Sequence, residues 1–379
     1  MSESQEIRFC KSSDGVDLAM ALYGAGAPFV KAATWLTHVE FDHSSAFDQA
    51  LIHEFAPSFR YVTYDARGCG LSQRRVDDIS LDAWVRDLEA VVDTLGLERF
   101  PLLGISQGAA IAVTYAARHP ERVSQLILFG GFATSYFTTS RSDPKRVEEA
   151  ETLLKIIELG WGSAQPAFRQ LFVSKFLPDA DAEQRRMFDE LQKATATPEM
   201  AVRYLRAVYS INVKPAAAQV KCPTLSLHMR GDQMVSFEQG RRLASLIPAA
   251  RFVPIEGNNH VPFENEPSWS GFVQHVRAFL GTGNRPAELT PRQGEVLKRV
   301  AFGQTDKQIA RDLNLSPRTV EMHVAGAMKA LGGKTRAEAV RAAGERSLLG
   351  PVSLPGGPVT GELGKTPGLG SANDRRDRP

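Results

Sequence analysis

Over the first 134 residues, short apolar runs alternate with stretches that are apolar on one side only. Ile7–Cys10 and Val16–Tyr23 flank Ser13-Asp14-Gly15, which predicts a hairpin. Phe29–Leu36, Tyr61–Tyr64, Phe100–Ile105 and Gln125–Phe129 then read as buried strands. Between them Ser80–Leu95 has helical spacing, with Ser80 as N-cap and Leu81, Trp84, Leu88, Val91, Val92 and Leu95 on one face. Such alternation predicts a mostly parallel sheet covered on both faces. Residues 135–220 interrupt the pattern, being helical and amphipathic with no strand, as an insertion above the sheet would be. The pattern resumes at Thr224–His228, Gly240–Ile247, Arg251–Ile255 and Trp269–Leu280.

A run of turn formers, Gly281-Thr-Gly-Asn-Arg-Pro286, ends this series and marks a linker over 281–288. Four short helices are predicted over 289–345. Thr290-Pro-Arg-Gln293 opens the first as a capping box with Pro at N1, and Val296, Leu297 and Val300 form its buried face. Thr305–Leu313 is the second, Ser316-Pro-Arg-Thr-Val320 opens the third, and Thr335-Arg-Ala-Glu338 caps the fourth. Two helices joined by a tight turn, the second ringed by basic residues, form a helix-turn-helix pattern. From 350 to 379 the chain is Gly/Pro-rich with almost nothing to bury, and disorder is expected there.

Composition changes this picture little. Hydrophobic residues make up 43% of the 379 and charged residues 23%, as in an ordinary globular chain of about two domains. No apolar run approaches the roughly 20 residues that span a bilayer, and no signal peptide is apparent, so membrane function is excluded and a cytoplasmic location expected. Cys10, Cys69 and Cys222 are far apart, without metal-ligand spacing, and no metal or cofactor is expected. Charge is more telling. The chain carries +2 in all, yet residues 285–349 hold 12 Lys/Arg against 7 Asp/Glu, whereas 1–284 hold 29 against 33. A basic small segment beside an acidic large one points to nucleic acid as partner of the former.

The sharpest chemical signal is Gly104-Ile-Ser106-Gln-Gly108, between an apolar strand and the helix Ala109–Ala117. A serine on a tight strand-to-helix turn needs small neighbours two positions away on each side. The turn lifts its hydroxyl from the sheet and sets the Gln107 N–H at the helix N-terminus, where it can stabilise an oxyanion. A serine nucleophile needs a base and an orienting acid, expected here in the order Ser, Asp/Glu, His. Asp232 lies just past Thr224–His228, and His260 just past Arg251–Ile255, where a parallel sheet presents its functional ends. His53, His119 and His275 fall on helices and read as surface or packing residues; His228 ends a strand and could support the loop of Asp232.

With Tyr64-Asp-Ala-Arg-Gly-Cys-Gly-Leu-Ser72, similar to D-x-R-G-x-G-x-S, these motifs make residues 1–280 resemble the α/β-hydrolase superfamily. The resemblance implies an eight-stranded, mostly parallel sheet with 135–220 as a helical lid. It casts Ser106 as nucleophile, His260 as general base and Asp232 as its orienter. Serine at 106 disfavours the dehalogenase and epoxide-hydrolase branches, leaving esterase, lactonase, thioesterase or perhydrolase chemistry. The family's His-Gly would correspond to Thr37-His38, with Val39 giving the second oxyanion N–H. Trp161, Phe168, Phe172, Phe176, Phe188 and Tyr204 supply large apolar groups to the lid, a minority of them expected to line a pocket above Ser106.

LTPRQGEVL, DKQIARDLNLSPRTVEMHV and KALGGKTRAEAV together resemble the LuxR/GerE-type DNA-binding domain. That resemblance implies Ser316–Leu331 as recognition helix and a dimerisation role for Thr335–Ala343. Lys307, Arg318 and Thr319 become phosphate-contact candidates, and Glu321, Met322 and His323 groove-facing ones. Val324 and Gly326 stand where the family often carries charged or amide side chains. The combined expectation is a homodimeric DNA-binding regulator whose larger domain handles a small apolar ester, lactone or similar ligand. The alternative is an active serine hydrolase with a secondary helix-turn-helix.

Overall fold

The computed structural model describes residues 5–34, 36–43, 45–139, 144–161, 163, 167–282, 289–331 and 335–345. Residues 283–288 of the expected linker and the tail from 350 lie outside these, as does the side chain of Phe168. The chain divides into two compact units, Met1–Asn284 and Arg285–Pro379.

The first unit is built on eight strands: β1 (Glu6–Lys11), β2 (Asp17–Tyr23), β3 (Ala27–Lys31), β4 (Phe59–Tyr64), β5 (Phe100–Ile105), β6 (Val123–Phe129), β7 (Thr224–Met229) and β8 (Arg251–Ile255). They lie in the order β1-β2-β4-β3-β5-β6-β7-β8. β2 runs antiparallel to β1 and β4; the remaining neighbours are parallel. Helices α1 (Ala46–Phe55), α2 (Leu81–Thr94) and α3 (Gln107–Arg118) follow β3, β4 and β5. Between β6 and β7 come α4 (Tyr136–Thr139), α5 (Pro144–Gly160), α6 (Ala167–Phe176), α7 (Ala182–Thr195), α8 (Pro198–Tyr209) and α9 (Lys214–Ala217); α10 (Phe237–Leu246) and α11 (Pro267–Leu280) complete the unit.

Successive residues of a strand face opposite sides, and the core divides accordingly. Leu102, Leu126 and Leu128 join Trp84, Leu88, Ile111 and Tyr115 on one face. Leu103, Ile105, Ile127 and Phe129 join Leu51, Phe55 and Phe272 on the other.

β3 is shorter than its apolar run suggests. The strand predicted to reach Leu36 ends at Lys31, although Ala32 and Ala33 remain buried. Ala32 still donates its N–H to Leu103 O of β5 at 2.8 Å, so one strand-like bond outlasts the regular pairing.

The helical insert is fastened internally by Arg169. Its guanidinium pairs with Asp189 at 2.5 Å and donates to the carbonyls of Gly160, Trp161 and Ser163, joining α5, α6 and α7. Trp161 donates through Nε1 to Ala196 O at 2.9 Å, and Tyr204 stacks on Trp84 of α2 with ring centroids 4.6 Å apart. These two lid aromatics are packing residues.

The second unit comprises α12 (Pro291–Ala301), α13 (Asp306–Leu313), α14 (Pro317–Leu331) and α15 (Arg336–Glu345). Thr290 and Thr305 each close a capping box, with Gln293 and Gln308. Asn314 takes the left-handed conformation (φ 53°) that turns the chain from α13 towards α14. Val296, Ile309, Leu313, Val320 and Val324 form one core cluster; Leu297, Ala327, Leu331, Ala339 and Ala343 form another. Val324 and Gly326 are therefore not thinned DNA contacts. Val324 is buried, and a Cβ on Gly326 would come within 2.6 Å of Gln293 Nε2 on α12. Both serve close packing of α14 against α12.

Candidate active site and candidate DNA interface

Ser106 sits between β5 and α3 with φ 54° and ψ −122°, a strained conformation for a residue with a Cβ. The flanking glycines explain how it is reached. A Cβ at Gly104 would lie 2.7 Å from Ala109 Cα, and one at Gly108 would lie 3.1 Å from the carbonyl oxygens of Ala32 and Ala33. The Ser106 N–H donates to Phe129 O at 2.8 Å, which fixes the turn to β6. Gln107, the first residue of α3, directs one of the helix's unsatisfied N–H groups to this place.

Asp232 and His260 arrive from the loops after β7 and β8. His260 Nδ1 and Asp232 Oδ2 are 2.7 Å apart, both side chains fully buried. Asp232 Oδ1 accepts from the N–H groups of Met234 and Val235 at 2.8 and 2.9 Å. Burial opposes ionisation of Asp232, but the charge of His260 and hydrogen bonds from His228, His260 and the Val235 N–H hold its carboxyl well below the usual range. His228 is 2.7 Å from Val235 O through Nε2 and 3.4 Å from Asp232, so it braces this loop as anticipated. His260 Nε2 is buried with no hydrogen-bond partner among the described residues.

Ser106 and His260 line one cavity of about 80 Å³ with Thr34, Leu36, Phe188 and Phe263. A second, of about 40 Å³, is lined by Ser106, Gln107, Tyr136, Arg146, Phe172 and Met234. Phe176 borders both. It also covers the histidine: its carbonyl accepts the His260 N–H at 2.7 Å, and its ring meets the imidazole edge-on at 4.9 Å. Asp179, just beyond α6, accepts from Asn258 Nδ2 at 2.7 Å and donates its own N–H to Asn259 Oδ1 at 2.9 Å. Lid and histidine loop are thereby fastened together.

The Val39 N–H, expected as an oxyanion donor, is engaged elsewhere. It donates to Asp65 Oδ1 at 2.9 Å, while Leu71 N–H holds Asp65 Oδ2 at 2.7 Å. Thr37 Oγ1 accepts from Ala66 N–H at 3.0 Å, and His38 packs edge-on against Phe41. This stretch braces the Asp65–Ser72 turn; the residues that reach the cavity, Thr34 and Leu36, come earlier because β3 stops at Lys31. Burial raises the Asp65 carboxyl to about 7 despite its backbone partners.

Sequence reasoning also passed over Lys31 on the first cavity. Burial opposes its ammonium, yet Asp48, 2.5 Å away, and Asp42 keep its pKa above the ordinary value. A lysine inside an apolar strand was the available signal.

In the second unit Lys307, Arg318, Glu321 and Met322 are exposed, Met322 by 66%, a large value for an apolar side chain. Thr319 and His323 are half-buried, and the Thr319 hydroxyl lies 2.7 Å from Ser316 Oγ at the start of α14. Asp306 at the head of α13 holds Arg336 of α15 through two hydrogen bonds of 2.6 and 2.8 Å.

A family model described as alpha/beta hydrolase fold matches residues 40–267, more than half of the chain. The chain belongs to the α/β-hydrolase fold family. A second model, bacterial regulatory proteins of the luxR family, matches residues 287–343, so the α/β-hydrolase domain is joined to a LuxR-type helix-turn-helix domain. An AB hydrolase superfamily protein, YisY, of Bacillus subtilis is 28% identical over 261 residues, covering 68% of this chain and 94% of its own. A 2-hydroxymuconate semialdehyde hydrolase of Pseudomonas sp. (strain CF600) is 28% identical over 251 residues, covering 61% and 76%. Among solved structures, the esterase EaEST of Exiguobacterium antarcticum superposes with a TM-score of 0.62 at 22% identity, covering 72% of this chain and 98% of its own. No helix of the described residues is long and apolar enough to cross a membrane.

Proposed function

We propose that the chain is a cytoplasmic, DNA-binding transcription regulator whose α/β-hydrolase domain takes a small ester-type ligand through Ser106, His260 and Asp232. The observation that carries the reading is the His260–Asp232 contact of 2.7 Å, with the other imidazole nitrogen buried in a residue that borders the cavity of Ser106.

The chemistry follows. His260 Nε2 takes the hydroxyl proton as Ser106 Oγ bonds to the ligand's carbonyl carbon, and the Gln107 N–H steadies the resulting oxyanion. The carbon–leaving-group bond then breaks and His260 returns the proton to the departing oxygen, leaving an acyl ester on Ser106. Water, deprotonated by His260, releases the acid and restores the hydroxyl. Asp232 holds the tautomer and balances the imidazolium. The strain at Ser106 favours turnover over mere holding, because a conformation costing about 1–3 kcal/mol persists where chemistry uses it. That same strain is what favours the second reading, an active serine hydrolase with a secondary helix-turn-helix.

In the smaller domain, α14 reads the major groove through Glu321, Met322 and His323, with Lys307, Arg318 and Thr319 at phosphates, as a homodimer on a roughly palindromic site. A fluorophosphonate probe and a p-nitrophenyl ester assay test the first half. Labelling and turnover by the wild type, absent in Ser106→Ala, are expected; neither in the wild type removes hydrolysis of such esters. Mobility shifts with genomic fragments test the second, and retention no better than competitor DNA removes the regulator.

A further inference from the structure

The two cavities at Ser106 are chemically unlike, and their placement sorts the two halves of an ester. His260 borders only the first, so a leaving group that receives its proton from Nε2 departs on that side. The acyl group then occupies the second cavity, beside Gln107 at the head of α3. This orientation rests on the hydrolytic reading above.

The second cavity has one charged lining residue among those described, Arg146 of α5. Its guanidinium carbon lies 5.2 Å over the Tyr136 ring, a contact that restrains the group without neutralising it. No carboxylate of the described residues is within ion-pair distance. The first cavity has a cation too, but Lys31 is already matched by Asp48 at 2.5 Å. A restrained, half-buried guanidinium facing a small chamber next to the nucleophile is a fork for a carboxylate, which it can bind through two parallel N–H donors.

We propose that Arg146 is a specificity-determining residue and that the site selects acyl groups ending in a carboxylate, that is, monoesters of short dicarboxylic acids. The smaller chamber limits the acyl part to a few carbons, while the larger, apolar one accepts the alcohol or phenol. Uncharged acyl esters of equal length leave the guanidinium without its anion and bind less well.

The test compares mono-4-nitrophenyl glutarate with 4-nitrophenyl pentanoate on the full chain, and repeats the pair with Arg146→Gln and Arg146→Lys. The ratio of kcat/KM for the two esters is expected to favour the glutarate by about tenfold or more, the range of one charge-assisted hydrogen-bonded pair. It should fall towards unity in Arg146→Gln, chiefly through KM, and stay intermediate in Arg146→Lys, which keeps the charge but not the fork. A wild-type ratio of one, or the same ratio in wild type and Arg146→Gln, overturns the proposal. Binding separates this outcome from failure of the hydrolytic reading. Calorimetry of monomethyl glutarate on Ser106→Ala, with and without Arg146→Gln, needs no turnover. Arg146-dependent binding without hydrolysis of either ester upholds anion selection in a non-hydrolysing receptor. Binding that ignores the Arg146 substitution overturns it.

Discussion

At the scale of single residues, the site trades stability for position. Ser106 holds φ 54° because Gly104 and Gly108 let β5 and α3 close around it. Replacing it with glycine, which adopts positive φ freely, should relieve the strain. Ser106→Gly is expected to gain about 1 kcal/mol, read as a rise in Tm, and to lose fluorophosphonate labelling. A fall in Tm would mean that the serine is held by favourable contacts rather than against its preference. The candidate triad was legible in the sequence because a G-x-S-x-G turn restricts where its partners can follow. That Asp65 would hold the Val39 N–H was not legible. Ala32 and Ala33 continue an apolar run past the end of β3, where they pack against Gly108 at the head of α3, so the apolar run outlasts the strand and hides where the loop begins. Lys31 left a local trace as a lysine inside an apolar strand, whereas Arg146 gains its place only beside Ser106, Met234 and Gln239, segments that no local pattern joins.

At the scale of elements, termini were the most readable features. Thr290 with Gln293 announces a helix start and that box forms, and the structure adds a second box, Thr305 with Gln308. Thr305→Ala leaves the N–H of Gln308 without its side-chain acceptor and should lower the stability of the small domain by about 1 kcal/mol, measured by chemical denaturation of the full chain followed by circular dichroism. An unchanged midpoint would mean that the exposed box is satisfied equally well by water. The insert's helical character could be read, but not its fastening, since Arg169 satisfies three carbonyls and Asp189 over residues 160 to 189 of the lid.

At the scale of the whole molecule, two long-range charge systems matter. Arg67, fully buried, binds Asp87 at 2.6 Å and Asp14 at 2.7 Å, joining the β1–β2 turn to α2. The Arg67 hydrogen bond, followed by weaker help from Arg86, holds the Asp14 carboxyl well below its ordinary value, with burial opposing. A depressed folded pKa adds stability above the unfolded carboxyl's pKa, about 4, which is lost as pH falls below it. Asp14→Asn should therefore lower stability at pH 7 and flatten its decline between about pH 4 and 2. All four tryptophans, Trp35, Trp84, Trp161 and Trp269, precede residue 285, so their emission reads the larger domain alone. An unaltered acid limb would place its cause elsewhere. The other system is the basic surplus of residues 285–349. If Arg318 and Lys307 meet phosphates, alanine at either should weaken binding evenly across DNA sequences and lower the slope of log K against log salt by about one. An unchanged slope would assign that side chain to solvent.

Phe176 ties these scales together. The backbone N–H of His260 ends on the Phe176 carbonyl, and the same residue's ring walls both chambers. A guest bulky enough to push Phe176 aside thus removes the prop from the base that would cleave it. If the proposed hydrolysis holds, guests that fit beneath Phe176 leave this prop in place, whereas those that displace it loosen the histidine's backbone anchor.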